Sequence, residues 1–261
     1  MQLKPFLRVL LALGVFAGAA QAKMITKSVE YQAGDVTCQG FVAYDDRFSG
    51  PRPGILIAHQ WMGLTDYEKT RAVQLASGGF VAFALDLYGK GNAPKSPADA
   101  GPLAGKFKAN RTLWRQRANA GLTALLAQPN VDATKIAAIG YCLGGGTVLE
   151  LARSGAPVKG VVSFHGSLDT PTPEDAKNIK GRVLVLHGAA DPLSPLPTVL
   201  ALNDEMSRAG VNYQIVLYGG AVHSFTQPMA GNDPSKGAAY NADADRRSFA
   251  AMIAFFDEIF G

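Results

Sequence analysis

The chain has 261 residues, enough to bury a sizeable core as one large domain. Its formal net charge is +4 and charged residues make up 18% of it, with no clustered basic face and no nucleic-acid motif, so no polyanionic partner is implied. Two cysteines, Cys38 and Cys142, allow at most one disulfide.

Residues 1–22 read as a secretory signal peptide. Lys4 and Arg8 supply a basic start, Val9 to Ala20 an apolar run short for a membrane span, and Ala20-Gln21-Ala22 a cleavage site. An uncleaved anchor is the alternative. The mature chain, 23–261, is expected to begin at Lys23 as a single domain, exported to a bacterial periplasm and without stable membrane association. From Lys23 to Tyr44 the residues alternate around a turn at Ala33-Gly34-Asp35, predicting an antiparallel hairpin. Strands and helices then alternate. Strand Gly54–His59 precedes a helix near Tyr67 to Ser77, and strand Phe80–Leu85 precedes a Gly/Pro-rich loop, Tyr88 to Pro102, and a long amphipathic helix near Lys106 to Ala127. Strands follow at Lys135–Ile139, Gly160–Phe164 and Arg182–Leu186. A helix near Leu196 to Ala209, strand Tyr213–Tyr218 and a helix near Asp243 to Phe260 close the chain. Short apolar strands alternating with helices predict a mostly parallel sheet with helices on both faces, with sites in the loops beyond the strands' carboxyl ends.

One such strand end carries Gly140-Tyr141-Cys142-Leu143-Gly144-Gly145, the Gly-x-nucleophile-x-Gly spacing of a nucleophile elbow with cysteine in place of serine. Small residues two before and two after let strand and helix approach closely and present Cys142 at the sheet edge. The bland reading is a small core residue at a tight junction. A cysteine attacks as its thiolate and needs a base. In α/β-hydrolases the chain order is nucleophile, acid, histidine. Asp191, after strand Arg182–Leu186, and His223, after strand Tyr213–Tyr218, fall in that order, so Cys142, His223 and Asp191 make a triad of nucleophile, general base and orienting acid. Taken singly, Asp191 could cap a turn and His223 be an ordinary loop histidine.

Asp169 is the rival acid, and Asp86 reads as a turn cap. His59, His165 and His187 end or follow strands without a catalytic assignment, and no histidine pair has metal-ligand spacing on one helix, so no metal is expected. The oxyanion hole would use the backbone N–H of Leu143, at a helix start that also favours a thiolate, and that of Trp61. Trp61, Tyr88, Lys90 and Phe225 are expected around the substrate pocket. Cys38 sits in a predicted strand as a buried small residue; a Cys38–Cys142 disulfide would silence the nucleophile.

With these segments placed, the chain resembles the dienelactone hydrolase family from about Tyr31 to Phe260. The resemblance is carried by Ala58-His59-Gln60-Trp61-Met62-Gly63, Asp86-Leu87-Tyr88-Gly89, the Gly-Tyr-Cys-x-Gly-Gly elbow at 140–145, His187-Gly188-Ala189-Ala190-Asp191-Pro192 and His223-Ser224-Phe225. It implies an α/β-hydrolase fold, a triad on Cys142, His223 and Asp191, no metal or organic cofactor, and hydrolysis of a small-molecule ester or enol-lactone. Three features depart from the family pattern. Gln60 stands where the family usually has a glutamate thought to hold the thiol protonated. The two arginines that bind a substrate carboxylate are replaced by Lys90, or no clear match, and by Gln227. The chain also carries an export signal, whereas members of that specificity are cytoplasmic. These departures imply a divergent substrate, and they motivate the alternative of a catalytically degenerate, exported binding or redox-responsive protein. Oligomeric state is not legible.

Overall fold

The computed structural model describes residues 23–261; the expected signal segment lies outside them. The first two strands, β1 (Met24–Ala33) and β2 (Val36–Asp45), form the anticipated hairpin, turning at Gly34, whose φ of 64° suits glycine. Then come β3 (Arg52–Ala58), α1 (Asp66–Ser77), β4 (Val81–Ala84), α2 (Pro97–Ala109), α3 (Arg111–Leu126), β5 (Val131–Tyr141) and α4 (Leu143–Arg153). The chain ends with β6 (Gly160–Phe164), β7 (Arg182–Gly188), α5 (Leu196–Arg208), β8 (Tyr213–Tyr218) and α6 (Ala242–Phe260). They build one eight-stranded sheet in the order β1-β2-β4-β3-β5-β6-β7-β8, antiparallel across β1–β2–β4 and parallel from β4 to β8.

The expected single helix over 106–127 is two helices, and the loop before it is shorter than anticipated. Ser96 caps α2 by accepting from Asp99 N–H, with Pro97 in the first turn where its missing N–H costs nothing. Asn110 then ends α2 and starts α3, its side chain accepting from Leu113 N–H at 2.9 Å. A residue bonding to the backbone ahead of it competes with helix continuation, which breaks the amphipathic run in two.

The period of two along each strand sends alternate side chains to opposite faces. Ile55, Ile57, Ala137 and Ile139 pack against α1 and α6 through Leu75, Met252, Phe255 and Phe256. Leu56, Phe83 and Ala138 pack against α3, α4 and α5 through Trp114, Val148, Leu149 and Leu202. Each such fully buried aliphatic or aromatic side chain stabilises the fold by roughly 1.5–3 kcal/mol through removal of apolar surface from water. Register brings the ends of β3, β5 and β6 level: Ala58 pairs with Gly140, and Tyr141 with Phe164. Every residue of α4 is buried, so the helix behind Cys142 is held on all sides.

Candidate active site

Cys142 sits between β5 and α4 with φ 55° and ψ −115°, a left-handed conformation that a β-carbon disfavours. The backbone around it explains why the strain holds. A β-carbon on Gly140 would strike the Gly144 carbonyl, and one on Gly144 would strike the carbonyl of Ala58 at the end of β3. One on Gly145 would approach Ser163 Oγ and Gly166 Cα to 2.5 and 2.6 Å. Three glycines thus let strand, turn and helix come closer than side chains permit, and the turn lifts a partly exposed thiol above the sheet edge. Cys142 N–H donates to Phe164 O (3.1 Å), and Cys142 O accepts from Gly145 N–H (3.0 Å) and Ser167 N–H (3.3 Å), so the elbow is tied to the loop after β6.

The loops after β7 and β8 bring Asp191 and His223 together. His223 Nδ1 lies 2.8 Å from Asp191 Oδ2, with both side chains buried. The other carboxylate oxygen accepts from Leu193 N–H (2.8 Å) and Ser194 N–H (3.2 Å), which fixes the carboxylate's orientation. His223 Nε2 is buried without a well-formed hydrogen bond, but it lies close enough to Cys142 for each group to move the other's titration. Burial by itself would push the Cys142 thiol up. The His223 imidazole, the Leu143 N–H at the start of α4 and, more weakly, the Lys108 ammonium outweigh it and hold the thiol below its ordinary value. Burial would likewise push His223 down, but Asp191 and Cys142 together raise it to about 10. Both directions favour transfer of the Cys142 proton to His223.

Asp169 is separated from this arrangement: its carboxylate is largely exposed and accepts from Arg111 Nη2 at 2.9 Å. Asp86 caps the turn after β4, accepting from Tyr88, Gly89 and Gln39 N–H. Both cysteines are free thiols. Cys38 is fully buried on β2, 3.6 Å from Arg117 Nη1, and burial followed by the nearby Asp86 pushes its thiol up.

His59, unassigned in the sequence, has a definite part. Its Nε2 accepts from Leu87 N–H (3.1 Å), so the proton sits on Nδ1, which donates to Gln60 O (2.5 Å). Gly63 N–H donates to the same carbonyl at 3.1 Å. The carbonyl of the Gln60–Trp61 peptide is therefore pinned. A trans peptide sends its N–H the opposite way, and the Trp61 N–H meets no acceptor among the described residues. Tyr88 reinforces the loop by donating to Trp61 O at 2.7 Å, and its phenol is pushed up by burial and then by the nearby Cys142. Gln60 itself is partly buried, its N–H donating at 3.4 Å to Glu68 of α1.

Two pocket expectations need correction. Lys90 points to the hairpin, where its ammonium pairs with Glu30 at 2.6 Å, because its own N–H is bonded to Thr37 O on β2. Phe225 has no exposed surface; it packs beneath the histidine loop against His165 and Tyr218. Lys108, exposed at the end of α2, is the cation whose field reaches Cys142. The packing of Phe107 on Tyr88 (5.7 Å) helps bring that helix end to the site, and no local motif marks it.

No group of three or more His, Cys, Asp or Glu side chains suited to a metal occurs among the described residues, and no helix among them is long and apolar enough to cross a membrane.

Sheet order, elbow and loop-borne acid and histidine define the fold class as an α/β-hydrolase. The dienelactone hydrolase family profile matches residues 38–260, and the chain belongs to that family. It is similar in structure to a dienelactone hydrolase-like promiscuous phosphotriesterase from metagenomic libraries, at 44% identity and TM-score 0.86, covering 91% of this chain and 99% of that one. A Caenorhabditis elegans protein of uncharacterised function is 34% identical over 151 residues, 56% of this chain and 94% of its own. A Saccharolobus solfataricus protein provisionally named carboxymethylenebutenolidase is 26% identical, over 89% of this chain and 98% of its own.

Proposed function

We propose that this family member hydrolyses a carboxylic ester or lactone through Cys142, His223 and Asp191 with a thioester intermediate. The observation that carries the reading is the buried His223–Asp191 contact of 2.8 Å beside a thiol held below its ordinary value. The Cys142 thiolate attacks the substrate carbonyl, and the carbonyl electron pair moves onto oxygen, where the Leu143 and Trp61 N–H groups receive it. Collapse of that intermediate expels the alkoxide, which takes the proton from His223 Nε2 and leaves a thioester on Cys142. His223, now neutral, removes a proton from water; the hydroxide attacks the thioester, the acid leaves, and the thiolate–imidazolium pair returns.

The substrate is expected to diverge from a dienelactone. The Lys90 ammonium is engaged with Glu30, and Gln227 is uncharged and buried, so neither supplies a free cation for a substrate carboxylate. Gln60 cannot take up a proton as a glutamate could, which leaves ionisation of the thiol to His223. Because a 44% identical relative is described as a promiscuous phosphotriesterase, slow phosphotriester turnover by the same thiol belongs to the proposal. Export with cleavage before Lys23 belongs to it as well, and the N-terminal mass of the secreted chain tests that part. A degenerate binding scaffold finds no support in an arrangement that keeps base and acid paired. For the catalytic reading, the mature protein and its Cys142→Ala variant are assayed on a panel of chromogenic esters and lactones. Turnover is expected only with Cys142 present, and a Cys142→Ala variant as active as the parent refutes the mechanism.

A further inference from the structure

A second histidine stands directly behind the triad with no part in the chemistry above. His165, the first residue after β6, has φ 38° and no exposed surface. Its N–H donates to Leu186 O at 2.9 Å, which extends the β6–β7 ladder and fixes the backbone despite the strain. Its ring meets His223 edge to face at 5.2 Å and Phe225 at 5.2 Å, and its Nε2 lies 2.8 Å from Thr226 Oγ1. Three of the four residues 223–226 therefore rest on one side chain. The fourth, Ser224, has φ 58°, a left-handed conformation that the loop would relax without such an anchor.

Thr226 is in turn the end of a polar chain. Arg71 Nη2 pairs with Asp245 Oδ1 of α6 at 2.6 Å, and Arg71 Nε donates to Tyr67 Oη at 3.2 Å. Tyr67 Oη donates to Thr226 Oγ1 at 2.8 Å. A guanidinium only donates, so the Tyr67 proton is free to go to Thr226, whose buried hydroxyl also bonds His165 Nε2. His165 leaves its Nδ1 buried without a partner. The charged and titratable groups facing it are His223, His187, Arg71 and the phenol of Tyr141. Burial, and then repulsion from His223 and His187, keep it unprotonated.

We infer that His165 is a positioning residue for His223, holding the imidazole between Asp191 and Cys142 through the ring contact and through Thr226. The inference rests on the proposed triad. His165 touches neither thiol nor substrate in this role. A small displacement of a catalytic base lowers the rate steeply, about 100-fold per ångström.

The test compares the parent protein with His165→Phe, which keeps a ring but not the bond to Thr226, with Thr226→Val, which cuts the chain at the next atom, and with His223→Ala as reference. Ester kinetics, thermal unfolding and the pH profile of Cys142 alkylation by iodoacetamide are measured on each. Expected for both His165→Phe and Thr226→Val is a kcat lower by about 10-fold or more with little change in KM. The alkylation midpoint is expected to move up by about one pH unit, towards that of His223→Ala. Folded variants with the parent's kcat and alkylation midpoint overturn the inference. So does a loss of activity with the midpoint unmoved, because that is damage elsewhere. If His165→Phe does not fold, Thr226→Val decides alone by the same criteria. A parent protein whose own alkylation midpoint matches His223→Ala refutes the triad reading instead, and is thereby told apart.

Discussion

Replacing Asp191 by asparagine tests the site through a single proton. Asp191 Oδ1 accepts from two backbone N–H groups, of Leu193 and Ser194, while Oδ2 faces His223 Nδ1. An asparagine retains those two backbone bonds only with its oxygen in the Oδ1 place, which turns its NH2 towards His223. Nδ1 must then accept, the neutral ring carries its proton on Nε2, and it can no longer take a proton there from the Cys142 thiol or from water. The fold loses little, because the loop's own hydrogen bonds survive. The rate loses the general base: about 10³-fold in kcat/KM, within the range for general acid–base groups and triad acids, or about 4 kcal/mol of transition-state stabilisation. The assay is hydrolysis of a short-chain chromogenic ester, with thermal unfolding alongside. Asp169→Asn is the control, since that exposed carboxylate touches only Arg111, and less than a twofold change is expected. Asp191→Asn retaining activity within tenfold of the parent, or Asp169→Asn losing as much, refutes the assignment.

Alkylation of Cys142 by iodoacetamide should rise with pH to a midpoint below that of an ordinary thiol, because the thiolate is stabilised by His223 as long as the imidazole stays protonated, up to about pH 10. His223→Ala removes the cation, so the midpoint moves up; an unmoved midpoint contradicts the ion pair. Glu205→Ala deletes one side of the bidentate Arg153–Glu205 pair, both bonds 2.8 Å, and leaves part of a fully buried guanidinium uncompensated. Urea unfolding should show a loss of about 3 kcal/mol, and a change under 1 kcal/mol would mean that Glu150, which accepts from Arg153 Nη1 at 3.0 Å, suffices as partner. Gly144→Ala places a methyl group against the Ala58 carbonyl, and thermal and urea unfolding should register a loss of about 3 kcal/mol. A variant as stable as the parent would mean that β3 and α4 can separate.

What the sequence made legible is what local chemistry governs. β6 and β8 appear at their anticipated boundaries because apolar β-branched runs are bounded by glycine or turn residues. The elbow is readable because its glycines answer a backbone crowding that no other residue satisfies. Asp191 and His223 could be named because in a parallel sheet both follow strand ends on one edge. The division of α2 from α3 was written in Ser96-Pro97 and Asn110, but the hydrophobic period runs through the break and outweighs a single cap in any pattern reading. Lys90, Phe225 and Lys108 depend on which loop meets which. Lys90 is drawn aside by Glu30, sixty residues earlier, and Phe225 by His165, sixty residues earlier. The parts of His59 and His165 were not legible because each acts through an atom of a distant loop, Leu87 N–H for the one and Thr226 Oγ1 for the other.

The order of the sheet also sets the fate of Cys142 under oxidation. Cys38 lies on β2 and Cys142 at the end of β5, with β4 and β3 between them. Three inter-strand steps of about 4.8 Å separate the two strands by roughly 14 Å, about twice the span that a disulfide bridges. A thiolate that reacts with peroxide would form a sulfenic acid with no resolving cysteine within reach. On the proposed mechanism, recovery would fall to a small external thiol, and without one each further oxidation to the sulfinic acid would remove an enzyme molecule for good.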